Sequence, residues 1–338
     1  MRLLRLLLLA FGVGVLVVLI LEHDPAAIFA SIGRLSWRLG VILCFPVALV
    51  MLFDTLGWRY AFRRDRIGFG VLLLTRLAGE AFNIVTPTAA LGGEVVKTWL
   101  LRDRAPLDES VPSVIIAKTT ITIAQGLFLL LGVLLATLTL AGSSILTAME
   151  ALVGLEVLAL ALFIVMQTRG LVGWSARLLA RLGIRRLGTG GTAARVDEAL
   201  ADFYRRAPGR LALSIVFHLV AWLLGSVEAW LILSFLGVPV SLATATVIEA
   251  FGTGIRFATF LVPASLGVQE GGYAVTFLAL GLSTVDGVAF GLVRRIRELV
   301  WVALGLLVFS TWGPRHDRLI DWGPRHGPQP PERSERPG

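Results

Sequence analysis

Long apolar segments with few charged side chains dominate this chain. Residues 6–21 carry no charge, and residues 111–140 carry only that of Lys118. A run of about twenty apolar residues is long enough to cross a membrane as a helix. The composition agrees, since 56% of the residues are hydrophobic and 16% are charged. We therefore interpret the chain as an all-α polytopic membrane protein. Six full spans are predicted, at residues 6–21, 37–62, 111–140, 145–166, 211–236 and 288–312.

The basic residues predict the orientation of these spans. The net charge is +8, and the loop 167–210 has nine arginines against three acidic residues. Because positively charged loops remain on the cytoplasmic side, we place this loop and both termini in the cytoplasm. A cleaved signal peptide is an alternative for residues 6–21, but the apolar run is long and no small-residue cleavage site follows it.

Several classes of function are not indicated by the sequence. It contains no Walker loop, no paired-histidine zinc motif and no dinucleotide fingerprint. Its one cysteine, Cys44, lies in an apolar stretch and excludes an intrachain disulfide. We expect no catalytic residue, no metal ion and no cofactor. The basic charge fits membrane topology rather than nucleic-acid binding.

Two apolar segments are interrupted by polar residues. Residues 69–101 are too few for two ordinary spans, and they contain Pro87 and the pair Gly92 and Gly93, which interrupt a helix. By the charge pattern this segment begins and ends in the cytoplasm, which predicts a re-entrant helical hairpin. Residues 242–282 are predicted to form a second hairpin that enters from the opposite face. The alternative is that both segments cross fully, which gives ten crossings and also leaves both termini inside.

The two interrupted segments share one polar pattern. In each, a proline precedes a glutamate by seven positions, and the glutamate precedes a basic residue by twenty-four. Paired, interrupted segments in two halves of a chain are typical of transporters built as inverted repeats. The alternative is a chance match, since few intervening residues are identical. The matched residues are Pro87, Glu94 and Lys118 in the first segment and Pro263, Glu270 and Arg294 in the second.

Lysine and asparagine are concentrated in one region. Of the 31 lysine and arginine residues only Lys97 and Lys118 are lysines, and Asn83 is the only asparagine. All three lie in or just after the first interrupted segment. Lysine is a compact donor that suits a binding site. Composition bias is the alternative explanation.

The polar residues of both segments are candidates for one binding and translocation site. Charge inside a bilayer is costly and marks a pathway or a site. Half-helix N-termini suit an anion such as phosphate, and the glutamates could balance the basic residues. The alternative is a structural ion pair that fixes helix packing. The candidates are Glu80, Asn83, Pro87, Gly92, Gly93, Glu94, Lys97 and Lys118, followed by Arg256, Pro263, Gln269, Glu270, Tyr273, Arg294, Arg297 and Glu298.

Further polar residues receive simpler interpretations. Arg294 and Glu298 lie four positions apart and are expected to form a pair on one helix face. Glu156 and His218 are interpreted as isolated polar groups that pack inside the helical bundle.

The remaining organisation follows from composition. Within the basic loop, residues 194–206 form an amphipathic pattern with Val196, Leu200 and Phe203 near one face. The loop is suited to anionic headgroups, and a merely solvated loop is the alternative. Residues 313–338 are predicted to be a disordered cytoplasmic tail. The predicted transmembrane domain covers residues 1–312, with halves 1–166 and 211–312 joined by the loop 167–210.

These motifs resemble a known family. The residues from Glu80 to Lys97 are similar to the transmembrane, flippase-like region of lysylphosphatidylglycerol synthases. Residues 263–273 and 294–299 are most similar to its stand-alone branch, which is encoded with hopanoid-biosynthesis genes. The resemblance covers roughly residues 5–312. It implies lipid translocation or handling in the bacterial inner membrane, and it does not imply synthase activity, since there is no room for the soluble synthase domain.

Three functions remain open at this point. The first is a transporter or flippase that moves a hopanoid, a phospholipid or another amphipathic lipid between leaflets. The second is an intramembrane enzyme that modifies a lipid, with Glu80 or Glu94 as its base. The third is a scaffold for enzymes of lipid synthesis. Proton coupling through Glu94 or Glu270 and passive scrambling both remain open as the energy source.

Overall fold

Every regular element in the described part of the chain is a helix. The computed structural model describes residues 13–22, 25–64, 67–86, 92–139, 144–168, 192–259 and 262–312. The all-α prediction is thereby confirmed for these residues. The elements are α1 (Val13–Glu22), α2 (Pro25–Gly33), α3 (Arg38–Tyr60), α4 (Phe69–Val85), α5 (Gly92–Leu101), α6 (Leu107–Thr139), α7 (Ser144–Thr168), α8 (Thr192–Arg206), α9 (Pro208–Leu236), α10 (Leu242–Ala258), a 3₁₀ turn (Pro263–Ser265), α11 (Val268–Ala279) and α12 (Thr284–Trp312).

Four of the described helices are long and apolar enough to cross a membrane. They correspond to four of the six predicted spans. Helices α1 and α2 form a pair bent by 92°, and they add a fifth span if the pair crosses as one. The last predicted span lies in α12, a helix of 29 residues that is not among the four. The four candidate spans are Arg38–Tyr60, Leu107–Leu138, Leu146–Val165 and Pro208–Leu236.

Helices α3 and α9 form an antiparallel pair in the bundle. Ser214 donates to the carbonyl oxygen of Gly57 at 2.8 Å, and Arg210 donates to that of Arg59 at 3.0 Å. At the other end, the guanidinium of Arg38 lies 5.4 Å from the ring of Phe235. The residue that ends α3 is therefore near the start of α9, and the end of α9 is near the start of α3.

Helices α4 and α5 form a first hairpin. Glu80 is paired with Lys97 and Asn83 with Glu94, so the two helices run antiparallel. Their backbones approach closely, because a Cβ atom at Gly93 would collide with the carbonyl oxygen of Gly79. Residues 87–91, which include Pro87, lie outside the described residues. The helix is thus interrupted in the predicted region, and the chain reverses its direction there.

Helices α10 and α11 form a second hairpin. Arg256 is hydrogen-bonded to Gln269, and Gly252 lies against the ring of Tyr273, so these helices are also antiparallel. Between them, Ala264 and Ser265 have φ angles of 53° and 49°. Left-handed backbone at two consecutive residues that are not glycine is uncommon, and it turns the chain sharply.

Helix α12 packs against both hairpins. Its first half contacts α11, where a Cβ atom at Gly291 would lie 3.0 Å from Cγ of Glu270. Its second half contacts α4, where Gly305 lies directly against the carbonyl oxygen of Leu77. The Pro263–Ser265 turn also touches α4. The two hairpins therefore meet around one shared helix.

The predicted amphipathic segment is helix α8. Val196, Leu200 and Phe203 do share one face, and that face is buried against Trp58 and Ile116 rather than left free. The greater part of the basic loop and the predicted tail 313–338 lie outside the described residues.

Candidate functional site

Lys97 is the centre of a first polar cluster in the hairpin α4–α5. Its Nζ atom donates to Glu80 Oε1 at 2.8 Å and to Glu94 Oε1 at 3.1 Å. The ring of Trp58 lies 5.9 Å from the same nitrogen. Lys97 is buried, so these contacts replace the water that its charge would otherwise require.

Asn83 joins the two helices of this hairpin. Its Nδ2 atom donates to Glu80 at 3.3 Å and to Glu94 at 3.2 Å, and its Oδ1 atom accepts from the backbone N–H of Gly93 at 2.8 Å. That N–H belongs to the first turn of α5, where it has no partner within the helix. The only asparagine of the chain thus accepts a hydrogen bond from the N-terminus of α5 and donates hydrogen bonds to two carboxylates. Gly92 begins α5.

The cluster continues into α3 and α9 through residues that the sequence analysis did not select. Arg76 donates to Asp54 at 2.9 Å, and the second oxygen of Asp54 lies 2.7 Å from Nδ1 of His218. The interpretation of His218 as an isolated packing group was wrong, because Asp54 is its partner. One sequence feature could have indicated this extension of the cluster: Arg76 precedes the candidate Glu80 by one helical turn. We call Asp54, Arg76, Glu80, Asn83, Glu94, Lys97 and His218 the first polar cluster.

Lys118 lies beside the first polar cluster. It is half-buried on α6 and near enough to Glu80 for Coulombic attraction. No carboxylate in the described part of the chain forms a salt bridge with it. Three carboxylates, from Asp54, Glu80 and Glu94, are thus balanced by Arg76, Lys97 and the unpaired Lys118. That Lys118 and Glu94 belong to one binding site stays a prediction.

A second polar cluster connects α9, α10, α11 and α12. Arg294 binds both oxygens of Glu249 and donates to the hydroxyl of Tyr273 at 3.0 Å. Arg297 donates to both oxygens of Glu228, at 2.8 and 2.6 Å. In the Arg294–Glu249 pair each oxygen accepts from a different guanidinium nitrogen, and such two-pronged pairs are strong and directional. The second polar cluster comprises Glu228, Glu249, Arg256, Gln269, Glu270, Tyr273, Arg294, Arg295, Arg297 and Glu298.

Glu270 is bound by Arg295, a residue that the sequence analysis did not select. Arg295 donates from Nη2 to Glu270 Oε1 at 2.7 Å and also contacts Glu298. The other Glu270 oxygen accepts from the N–H of Gly267 at 2.7 Å, at the start of α11. The expected pairing of Arg294 with Glu298 was wrong, because Arg294 turns toward Glu249 and Arg295 takes its place.

Each cluster has one member that reaches toward solvent or lipid. The side chain of Glu80 is 28% exposed, and that of Arg256 is 46% exposed. Arg256 donates to Gln269 at 2.9 Å and lies 3.8 Å from Glu298. Glu156 on α7 differs from both, since it is 1% exposed and neither of its oxygens has a hydrogen-bond partner among the described residues.

The geometry disfavours hydrolytic chemistry at the Asp54–His218 pair. The imidazole is fully buried, and a Cβ atom at Gly57 would lie 2.6 Å from its Nε2 atom. A substrate therefore cannot reach the nitrogen that would act as base. Among the described residues no group of three histidine, cysteine or acidic side chains is placed to hold a metal ion.

Apolar helices of spanning length around two buried networks of ion pairs define an integral membrane protein with a polar interior. The chain belongs to the lysylphosphatidylglycerol synthase TM region family, whose description it matches over residues 3–305. Comparison with curated proteins and with solved structures finds no match. Association with hopanoids is not part of the family match.

Proposed function

We propose that this protein moves amphipathic lipids between the leaflets of the membrane, through a polar crevice between its two helical hairpins. The observation that carries the proposal is the presence of one polar cluster at each hairpin, with the charge of the first cluster balanced once the neighbouring Lys118 is included. The second cluster balances four glutamates with four arginines. Charges in an apolar bundle are costly to bury, and they commonly line a substrate pathway.

The hairpins are proposed to be re-entrant and oppositely inserted. The first follows the end of α3 and the second follows the end of α9, and α3 and α9 are antiparallel. Helix α5 has 10 residues and is about 15 Å long, too short to cross a hydrocarbon core of about 30 Å. Broken helices whose termini meet at a polar site are a common device of transporters.

The lipid headgroup is proposed to meet one cation at each cluster, Lys118 beside the first and Arg256 in the second. Lys118 has no ion pair among the described residues, and Arg256 is partly exposed. A phosphate that binds Lys118 breaks no salt bridge of the described residues. At Arg256 it would compete with Glu298, which keeps Arg295 as a partner. The other candidate residues of both segments then shape and neutralise the crevice around the headgroup.

The wider setting follows from the family and the charge pattern. The proposed location is the bacterial inner membrane, with both termini in the cytoplasm. The proposed lipids are phospholipids or hopanoids, and the basic loop 167–210 is proposed to contact anionic headgroups. Enzymes of lipid synthesis are proposed partners.

The experiment uses purified protein in liposomes that contain a trace of fluorescent phospholipid. An impermeant quencher reports how fast the label leaves the inner leaflet. We expect movement above that of empty liposomes, and we expect Lys118→Gln and Arg256→Gln each to slow it about tenfold, the effect of losing one charge-assisted hydrogen bond. Because Lys118 has no ion pair in the part of the chain that the structure describes, its removal leaves no buried carboxylate there newly unpaired, so folding should be preserved.

Arg205→Gln is the matched control, since Arg205 is exposed on α8 and outside both clusters. It should move lipid at the parental rate. Parental protein that moves no lipid, or two folded cluster variants that match it, would contradict the proposal. Mass spectrometry of the same liposomes tests the enzyme alternative, which requires a new lipid product.

A further inference from the structure

A charged cavity lies at the end of the bundle where α3 terminates. Its volume is about 590 Å³, and its walls come from the turn after α3, the start of α6 and helix α8. Cavities of roughly 300–1,000 Å³ are typical of sites for small molecules. Neither polar cluster contributes a side chain to the lining, so this is a separate site.

The walls of this cavity are amphiphilic. Its apolar part includes Ala61, Ile116 and Phe203, all of which are buried. Its polar part has four arginines and four carboxylates, so the two signs of charge are balanced. Such a lining suits a ligand that has both charges and an apolar body.

Two charged residues of the lining are available to a ligand. Arg63 is paired with Asp202 at 2.6 Å, and other lining residues form similar pairs. Arg64 and Glu198 are both exposed, and neither has an ion pair or a hydrogen bond in the described part of the chain. As far as the described residues show, Arg64 and Glu198 are thus open to a ligand on the cavity wall.

The cavity is at the level expected for lipid headgroups. The guanidinium of Arg210 lies 5.2 Å from the ring of Tyr60, and that of Arg102 lies 4.8 Å from the ring of Trp99. The guanidinium of Arg104 lies 4.6 Å from Trp312. Tyrosine and tryptophan concentrate at the membrane–water boundary. Tyr60 directly precedes the cavity residue Ala61, which places the cavity beside that boundary.

Trp58 separates the cavity from the first polar cluster. Its indole N–H donates to Ser113, a residue of the cavity wall, at 3.3 Å. The same ring lies 5.9 Å from Nζ of Lys97. A ligand in the cavity would therefore be one side chain away from the proposed crevice.

We infer that this cavity binds the headgroup of a zwitterionic phospholipid, with the phosphate at Arg64 and the ammonium group at Glu198. This inference rests on the proposed function: the cavity would bind a zwitterionic phospholipid before that lipid enters the crevice. A purely anionic headgroup would leave Glu198 facing negative charge, whereas a phosphate and an amine together satisfy both free residues. The apolar wall accepts the glycerol and the first carbons of the chains.

The test is calorimetric titration of the full chain in detergent. The ligands are dihexanoyl phosphatidylethanolamine, dihexanoyl phosphatidylglycerol, glycerophosphoethanolamine and inorganic phosphate. We expect the zwitterionic lipid to bind about tenfold more tightly than the anionic one. Glu198→Gln should remove that preference, because it weakens binding of the zwitterionic lipid and does not weaken binding of the anionic one. Arg64→Gln should weaken binding of both lipids. Arg205→Gln should change neither.

Equal binding of both lipids, or unchanged binding in Arg64→Gln and Glu198→Gln, would overturn the inference. Inorganic phosphate that binds as tightly as the zwitterionic lipid would also overturn it, because the site would then be one for a free anion. Glycerophosphoethanolamine reports the contribution of the headgroup without its chains. Because binding is measured without any lipid movement, this inference and the proposed function can fail independently.

Discussion

Asp54 on α3 and His218 on α9 are joined by a buried hydrogen bond of 2.7 Å between Oδ1 and Nδ1. The second oxygen of Asp54 accepts from Arg76 on α4 at 2.9 Å. One carboxylate thus ties the antiparallel pair α3–α9 to the first hairpin. The polar interior begins in the framework of the bundle and extends through Arg76 to Glu80 and Lys97.

We expect Asp54→Asn to destabilise the protein strongly. The change preserves the shape of the side chain but leaves the buried guanidinium of Arg76 without its nearest negative partner. Removing one member of a buried pair costs about 3–5 kcal/mol. The measurement is the free energy of unfolding in detergent. Asp108→Asn, which breaks an exposed pair with Arg195, should cost about 1 kcal/mol or less, and equal losses for the two variants would contradict the assignment.

Gly93→Ala should open the first hairpin. The added methyl group would collide with the carbonyl oxygen of Gly79 and with the side chain of Asn83. We expect a loss of about 1–3 kcal/mol in the free energy of unfolding, since neither backbone can move without breaking the cluster. Gly126→Ala and Gly154→Ala are matched controls in apolar helices, because their added Cβ atoms meet nothing within 4 Å. A loss as large in the controls would show that the close approach is unimportant.

The partner of Glu270 can be tested by double-mutant cycles. Glu270→Gln combined with Arg295→Gln should show a coupling energy of about 0.5–3 kcal/mol in stability, as residues in direct contact do. The same cycle with Arg294→Gln should show a smaller coupling, because Arg294 binds Glu249 instead. A larger coupling of Glu270 to Arg294 than to Arg295 would contradict this assignment.

Chemical labelling tests the insertion of the hairpins. In a Cys44→Ser background, Arg64→Cys and Arg104→Cys flank the first hairpin, and both should react from one face of the membrane. Pro239→Cys and Ser283→Cys flank the second hairpin and should react from the other face. The reagent is an impermeant maleimide added to oriented vesicles. Reaction of positions 64 and 104 from opposite faces would show that the first hairpin crosses the membrane completely.

The sequence anticipated the interrupted helices well. Prolines and paired glycines act locally, so Pro87, Gly92 and Gly93 indicated a break between α4 and α5 without knowledge of any neighbour. Lys97 and Asn83 were selected because they were rare, and both lie at the centre of the first polar cluster. Asp54 and His218 were not selected, since each is a single polar residue in a long apolar helix and nothing in the local pattern gives its partner.

The sequence by itself determined the apolar helices, their lengths and the two places where polar residues interrupt them, because length, hydrophobicity and helix breakers are local properties. Only the tertiary structure decided which charges meet. Arg294, Arg295 and Arg297 lie within one turn of α12, where each residue rotates about 100° around the helix, so Arg295 points away from the other two. The three arginines pair with Glu249, Glu270 and Glu228, which belong to three different helices. That choice depends on the rotation of α12 against its neighbours, which is fixed by close packing at Gly291 and Gly305 rather than by spacing along the chain.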